Sequence, residues 1–194
     1  MTAEEVRSLV IETVVSPGEA ARKIVGFRLP TGVLWTALAL IGVLNSLYYG
    51  LLLPGAAEAG LVPQTMAESP LLIAVIVLSI LAAMAYLLRI SGRMLGGAGD
   101  MADMLKITVW LQGLRLLAQV AISFISLISP AIGWLVAMVV GIWGLWILIV
   151  FIAAGHGFET LKGLGTLVMT FIATILIMSV LSAALGLGPP PGEL

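Results

Sequence analysis

Five long apolar runs decide what this chain can become. They cover residues 31–53, 70–88, 104–128, 131–154 and 164–187. Each supplies about the 20 residues an α-helix needs to cross a hydrocarbon core roughly 30 Å thick. Pro30 and Pro54 bound the first run, Arg89 ends the second, and Gly188 with three prolines stops the fifth. The short turn at Ser129-Pro130 makes the third and fourth runs antiparallel neighbours. Composition points the same way. The 194 residues are 61% hydrophobic and 10% charged, with a mean hydropathy of +1.19, whereas a soluble domain is about 25% charged. The expected fold class is therefore an all-α integral membrane protein, with five transmembrane helices preceded by a short amphipathic N-terminal helical segment. Residues 1–29 form that cytoplasmic segment, 30–188 the five-span domain, and 189–194 an external Pro-rich tail.

The N-terminal segment does not read as a leader. Glu4 and Glu5 stand where a signal peptide is positive, and no apolar core follows before Glu12. Thr2 and Glu5 fit a capping box. Val6, Leu9, Val10, Thr13 and Val14 then recur at helical spacing. Ser16-Pro17-Gly18-Glu19 restarts the pattern for a second short helix, with Ala20, Ala21, Ile24, Val25 and Phe27 set against Arg22, Lys23 and Arg28. Apolar and basic faces together suit two placements: flat on an anionic leaflet, or packed against the ends of the spans.

Charge sets the orientation. Of the nine Lys and Arg residues, eight lie before the first run or in or flanking alternate connections: Arg7, Arg22, Lys23, Arg28, Arg89, Arg93, Lys106 and Lys162. The opposite connections hold only Glu58, Glu68 and Glu193. Positive residues stay inside, which places the N-terminus in the cytoplasm and the C-terminus outside the inner membrane.

The ninth is Arg115, well inside the third run. Thr108, Gln112, Arg115, Gln119, Ser123 and Ser126 follow at steps of three or four, so they share one helix face. Arg at mid-membrane costs about 2.5–3.5 kcal/mol on insertion scales, so it needs partners. No acidic residue lies within a run. The candidates are Asn45 with neighbouring carbonyls, a water-filled cleft open to the cytoplasm, or a lipid phosphate. This stripe, Thr108, Gln112, Arg115, Gln119 and Ser123 with Asn45, is the candidate site. Tyr48 and Tyr49 resemble interface anchors. Gly133, Ala137 and Gly141, with Gly144 nearby, allow close helix packing, within the chain or between two copies.

Catalytic chemistry has little to work with. There is no Cys and one His, so thiolate chemistry is absent and a Zn or Fe site has almost no ligands. No nucleophile–base pair is visible, and no enzyme activity, cofactor or metal is expected. The Gly92–Asp100 loop lacks the strand and the Gly-Lys-Ser/Thr ending of a phosphate cradle, and reads as a connector using glycines at φ > 0. Asp100 caps the third span. His156 and Glu159 read as solvated or hydrogen-bonded residues of the matching connector.

In its connectors the chain resembles the Yip-one family, in its bacterial branch. The resemblance rests on Gly96-Gly97-Ala98-Gly99-Asp100-Met101-Ala102-Asp103-Met104-Leu105 leading into the third span. It rests equally on Ile142-Trp143-Gly144-Leu145 and Ala154-Gly155-His156-Gly157-Phe158-Glu159 leaving the fourth. It covers residues 14–185 and implies a membrane protein that binds a partner, as eukaryotic members bind prenylated GTPases; the chain lacks their long N-terminal region. The expected function is a non-enzymatic scaffold or adaptor that binds a membrane partner or shapes the bilayer. The alternative is a small transporter or channel for an anion or lipid headgroup, using the Arg115 stripe. Membrane lipid, another membrane protein and a second copy of the chain are the expected partners; nucleic acid is not.

Overall fold

The computed structural model describes residues 2–64 and 68–184, with side chains to Val180. The 189–194 tail and the last residues of the fifth run lie outside the described residues. All regular structure among the described residues is helical. Helices α1 (Ala3–Val15) and α2 (Pro17–Gly26) form a hairpin. They are followed by α3 (Thr31–Glu58), α4 (Pro70–Met94), α5 (Met101–Ile128), α6 (Pro130–His156) and α7 (Thr160–Ala184). These last five are long and apolar enough to cross a membrane, and the protein is a multi-pass helical membrane protein.

Local chemistry sets the boundaries. Thr2 and Glu5 close a capping box on α1, and Asp100 and Asp103 close another on α5, each satisfying backbone N–H groups that have no partner in the first turn. The Ser129 side chain caps α6, which Pro130 begins and Gly157 ends in the left-handed region at φ 69°. Pro54 does not end α3. The helix runs on to Glu58, giving up one intrahelical bond at the proline.

The spans close a ring. Helix α3 packs on α4 and α5, α5 on α6, α6 on α7, and α7 on α4, while α4 also reaches across to α5. Packing is uneven along it. The core is Leu34, Leu38, Leu81, Ala85, Leu88, Met104, Leu105, Ile107, Ile147, Phe151 and Ile152, together with Ala20, Ala21 and Ile24 of α2. These residues belong to the end of the ring that carries the hairpin, here called the base. Around the middle of α6 every residue from Met138 to Trp146 is exposed, and in the far half so is every residue of α7 from Phe171 to Val180 except Ala173.

Of the two placements open to the N-terminal segment, the structure has the packed one. A Glu12–Lys23 ion pair of 2.6 Å closes the hairpin. The buried Lys106 is paired with Asp103 at 2.9 Å and donates to the carbonyls of Val25 and Phe27, the latter at 3.3 Å. That satisfies two carbonyls at the end of α2 with one buried charge. Trp110 Nε1 donates to Thr13 Oγ1 at 3.0 Å, and Trp143 Nε1 to the carbonyl of Val14 at 3.1 Å. Leu9 and Thr13 of α1 are buried; Val6, Ile11 and Val15 remain exposed, as do Arg7 and Arg22.

Candidate functional site

Arg115 is the fifteenth of 28 residues in α5, and Asn45 the fifteenth of 28 in α3, so both sit midway along their helices. Asn45 is fully buried, and its Nδ2 donates to the carbonyl of Ile41 at 2.8 Å. That bond turns Oδ1 toward α5, where it accepts from Arg115 Nη2 at 3.1 Å. One turn farther out, the Tyr48 hydroxyl and Ser123 Oγ lie 2.9 Å apart, and Tyr48 donates to the Gln119 carbonyl at 3.4 Å. The structure thus brings together Arg115, Asn45, Gln119 and Ser123. It adds Tyr48, which reading by depth assigned to the interface. Its position three residues after Asn45, on the same face of α3, was the signal. Thr108 lies deeper, buried, with no partner for its hydroxyl, and the Oε1 atoms of Gln112 and Gln119 are buried without one.

The guanidinium stays largely unmet. A charge of this kind has five donors and does not deprotonate, yet Asn45 is its one hydrogen-bonded acceptor and no carboxylate pairs with it among the described residues. Helix geometry makes this unusual. Leu117, Val120, Phe124, Leu127 and Ile128 are exposed on the opposite side of α5. Arg115 shares its side with buried or half-buried Met104, Thr108, Gln112, Gln119, Ile122 and Ser126, and is exposed all the same. Toward the base the same side is filled by Met104 and Thr108, backed by the tightly packed Leu88, Phe151 and Ile152. Of the three candidate partners the structure supplies the Asn45 side chain, and the rest of the Arg115 side chain is exposed. A cavity of about 570 Å³ does occur, but at the start of α3, lined by Pro30, Gly32, Val33, Thr36, Ala37 and Leu40 without a charge.

The connectors at the base form a second cluster, built around His156. Its side chain is 2% exposed, Nε2 lies 3.1 Å from the Leu88 carbonyl, and the ring stacks on Phe158 with centroids 5.2 Å apart. Its own carbonyl accepts from Ala98 N at 3.0 Å. Three glycines wall the imidazole. A Cβ on Gly97 would lie 2.6 Å from Nδ1, one on Gly99 2.7 Å from the same atom, and one on Gly92 would overlap the ring. Conformational freedom explains only Gly96, at φ 85°. At Gly92 and Gly97 the imidazole occupies the space a side chain would need, and at Gly99 the Gly155 carbonyl and the imidazole share it. His156 is thus a structural knot between the α4–α5 and α6–α7 connections, and its burial replaces the solvated alternative.

The small residues of α6 divide. A Cβ on Gly133 would overlap Ser126 of α5, Ala137 is half-buried, and Gly141 and Gly144 have nothing within 4 Å of the added carbon. Close approach is confined to the first of the series. Sequence reading passed over the threonines of α7: Thr166 and Thr170 are buried, four residues apart, facing the ring. Thr166 returns its hydroxyl to the Lys162 carbonyl at 2.9 Å, a bond available within any helix, whereas the Thr170 hydroxyl is buried without a partner.

Compared with known families, residues 11–182 match the family described as the Yip1 domain. No curated protein and no solved structure matches the chain.

Proposed function

The chain belongs to the Yip1 domain family, and from that premise we propose that it is a non-enzymatic adaptor of the inner membrane, with its N-terminus in the cytoplasm and C-terminus outside. The α1–α2 hairpin is its cytoplasmic platform. One observation carries the reading: the hairpin is bolted to the spans through Lys106, Trp110 and Trp143 while Ile11 and Val15 stay exposed on the side of α1 that carries Arg7, opposite buried Leu9 and Thr13. A segment serving only to cover the bundle would bury its large apolar residues; this one holds several in the open on a fixed scaffold. Exposed Arg28, Arg93 and Lys162 surround it at the same end, so an approaching partner meets a positive collar. The test is photocrosslinking in intact cells from Ile11 and Val15. Discrete protein adducts are expected at both positions, weakened by Arg7→Glu with Arg22→Glu. Adducts to phospholipid alone at both positions would sink the adaptor reading.

A further inference from the structure

We infer that Arg115 is a docking point for a transmembrane helix of a second membrane protein that carries an aspartate or glutamate near its midpoint. The inference rests on the adaptor reading and names the chemistry of the partner.

Depth is the first argument. Arg115 stands midway along a 28-residue helix, about 21 Å from its start at 1.5 Å per residue. A lipid phosphate sits at the rim of the hydrocarbon core, about 15 Å from its middle, farther than an arginine stem reaches. A carboxylate on a helix can lie at any depth. The second is charge. The guanidinium keeps donors beyond the one used by Asn45 Oδ1, and no ion-pair partner faces it among the described residues. Held at this depth, it gains most from a full negative charge in bidentate geometry. A second copy of this chain cannot supply one, because its apolar runs contain no Asp or Glu.

Space is the third. On the side of α5 where its neighbours are covered, Arg115 is exposed, and around the middle of α6 the stretch Met138–Trp146, like most of 171–180 of α7, is exposed as well. Gly141 and Gly144 stand in that stretch with nothing within 4 Å of an added Cβ. Backbones can come close at such positions. The tie from Ile41 through Asn45 to Arg115 fixes one edge of the guanidinium and leaves the other for the incoming carboxylate.

The experiment is photocrosslinking in intact cells of the native host, from Val140 and Phe171 in the far half and from Val15 in the hairpin. Wild type, Arg115→Lys and Arg115→Leu are compared, with the folding of each checked by its melting temperature in detergent. From the far-half positions we expect one protein adduct whose spans include a mid-membrane Asp or Glu. Its yield should fall about tenfold or more in Arg115→Leu and partly recover in Arg115→Lys, as truncating one member of a desolvated charge pair requires. Arg115→Asp combined with Arg at the partner's carboxylate should restore it. If Arg115→Leu does not fold, Asn45→Leu, which removes only the orienting tie, should lower the yield severalfold. A far-half adduct insensitive to Arg115→Leu, a captured protein without a mid-span carboxylate, or phospholipid adducts alone would each overturn the inference. Val15 adducts persisting through such a result leave the adaptor reading standing, and their absence from wild type removes that reading instead.

Discussion

Gly97→Ala isolates what the glycine-rich loop is for. Gly97 has no positive φ, so the substitution brings no backbone strain, only a methyl group. That methyl would sit 2.6 Å from His156 Nδ1, 2.7 Å from its Cβ and 2.8 Å from its Cγ, where ordinary contact begins at 3.4 Å. All three atoms are at the root of the ring, so no flexible tip can swing aside. Overpacking costs about 1–3 kcal/mol. Displacing the ring also weakens the bond to the Leu88 carbonyl, for about 1 kcal/mol more. Lower chain entropy in the unfolded state returns about 0.4–1 kcal/mol. The net is a loss of about 2 kcal/mol, or roughly 4–8 °C in melting temperature for a chain of this size. Melting followed by tryptophan fluorescence in a mild detergent gives the number. Gly141→Ala, with nothing within 4 Å, is the control and should be neutral or up to about 1 kcal/mol more stable. In His156→Gly the ring and its Cβ are both gone, so adding Gly97→Ala should cost nothing further, a coupling of about 2 kcal/mol in the double-mutant cycle. Equal losses with and without the imidazole would refute the argument that His156 makes Gly97 a glycine.

Two other expectations concern the ends of the molecule. With no native cysteine, single cysteines at Ala98 and Glu159 should stay unlabelled by an impermeant thiol reagent in intact cells while one at Ala57 reacts; labelling at Ala98 would reverse the orientation. Lys106→Met removes the donor to Val25 and Phe27 and should speed proteolysis around Arg28 severalfold without unfolding the spans, and unchanged cleavage would show the hairpin held by its apolar contacts alone.

The spans could be read from the sequence because lipid imposes a length and a composition that few other folds satisfy. The faces of α5 could be read because a period of 3.6 is local information. The paired midpoints of Asn45 and Arg115 were also within reach, since a buried charge restricts its partners to the few polar side chains at its depth. What sequence reading missed depends on residues far apart in the chain. Lys106 meets α2 across 81 residues and His156 meets Leu88 across 68, and no periodicity encodes such pairs. The glycines of the 92–99 loop looked alike because deleting a Cβ serves both a turn and a close neighbour; only the position of the imidazole separates the two uses. Tyr48 was misplaced for the opposite reason, a depth rule overriding a face rule. The crowding of the core into the base left no trace in the sequence, because a residue meant for lipid and one meant for a protein interior are chosen from the same apolar set.

That crowding sets an order in which the molecule can come apart. The turns of α7 from Phe171 to Val180 have few protein neighbours to hold them, so they can move without disturbing the rest. The base cannot open piecemeal: Gly92, Gly97, Gly99 and His156 interlock two connections, and Lys106 ties the hairpin to the same end. A pull on the membrane domain would therefore peel the far turns first and meet its main resistance at the histidine. The base is the ring's fixed footing, and the outer turns of α7 are its least constrained part.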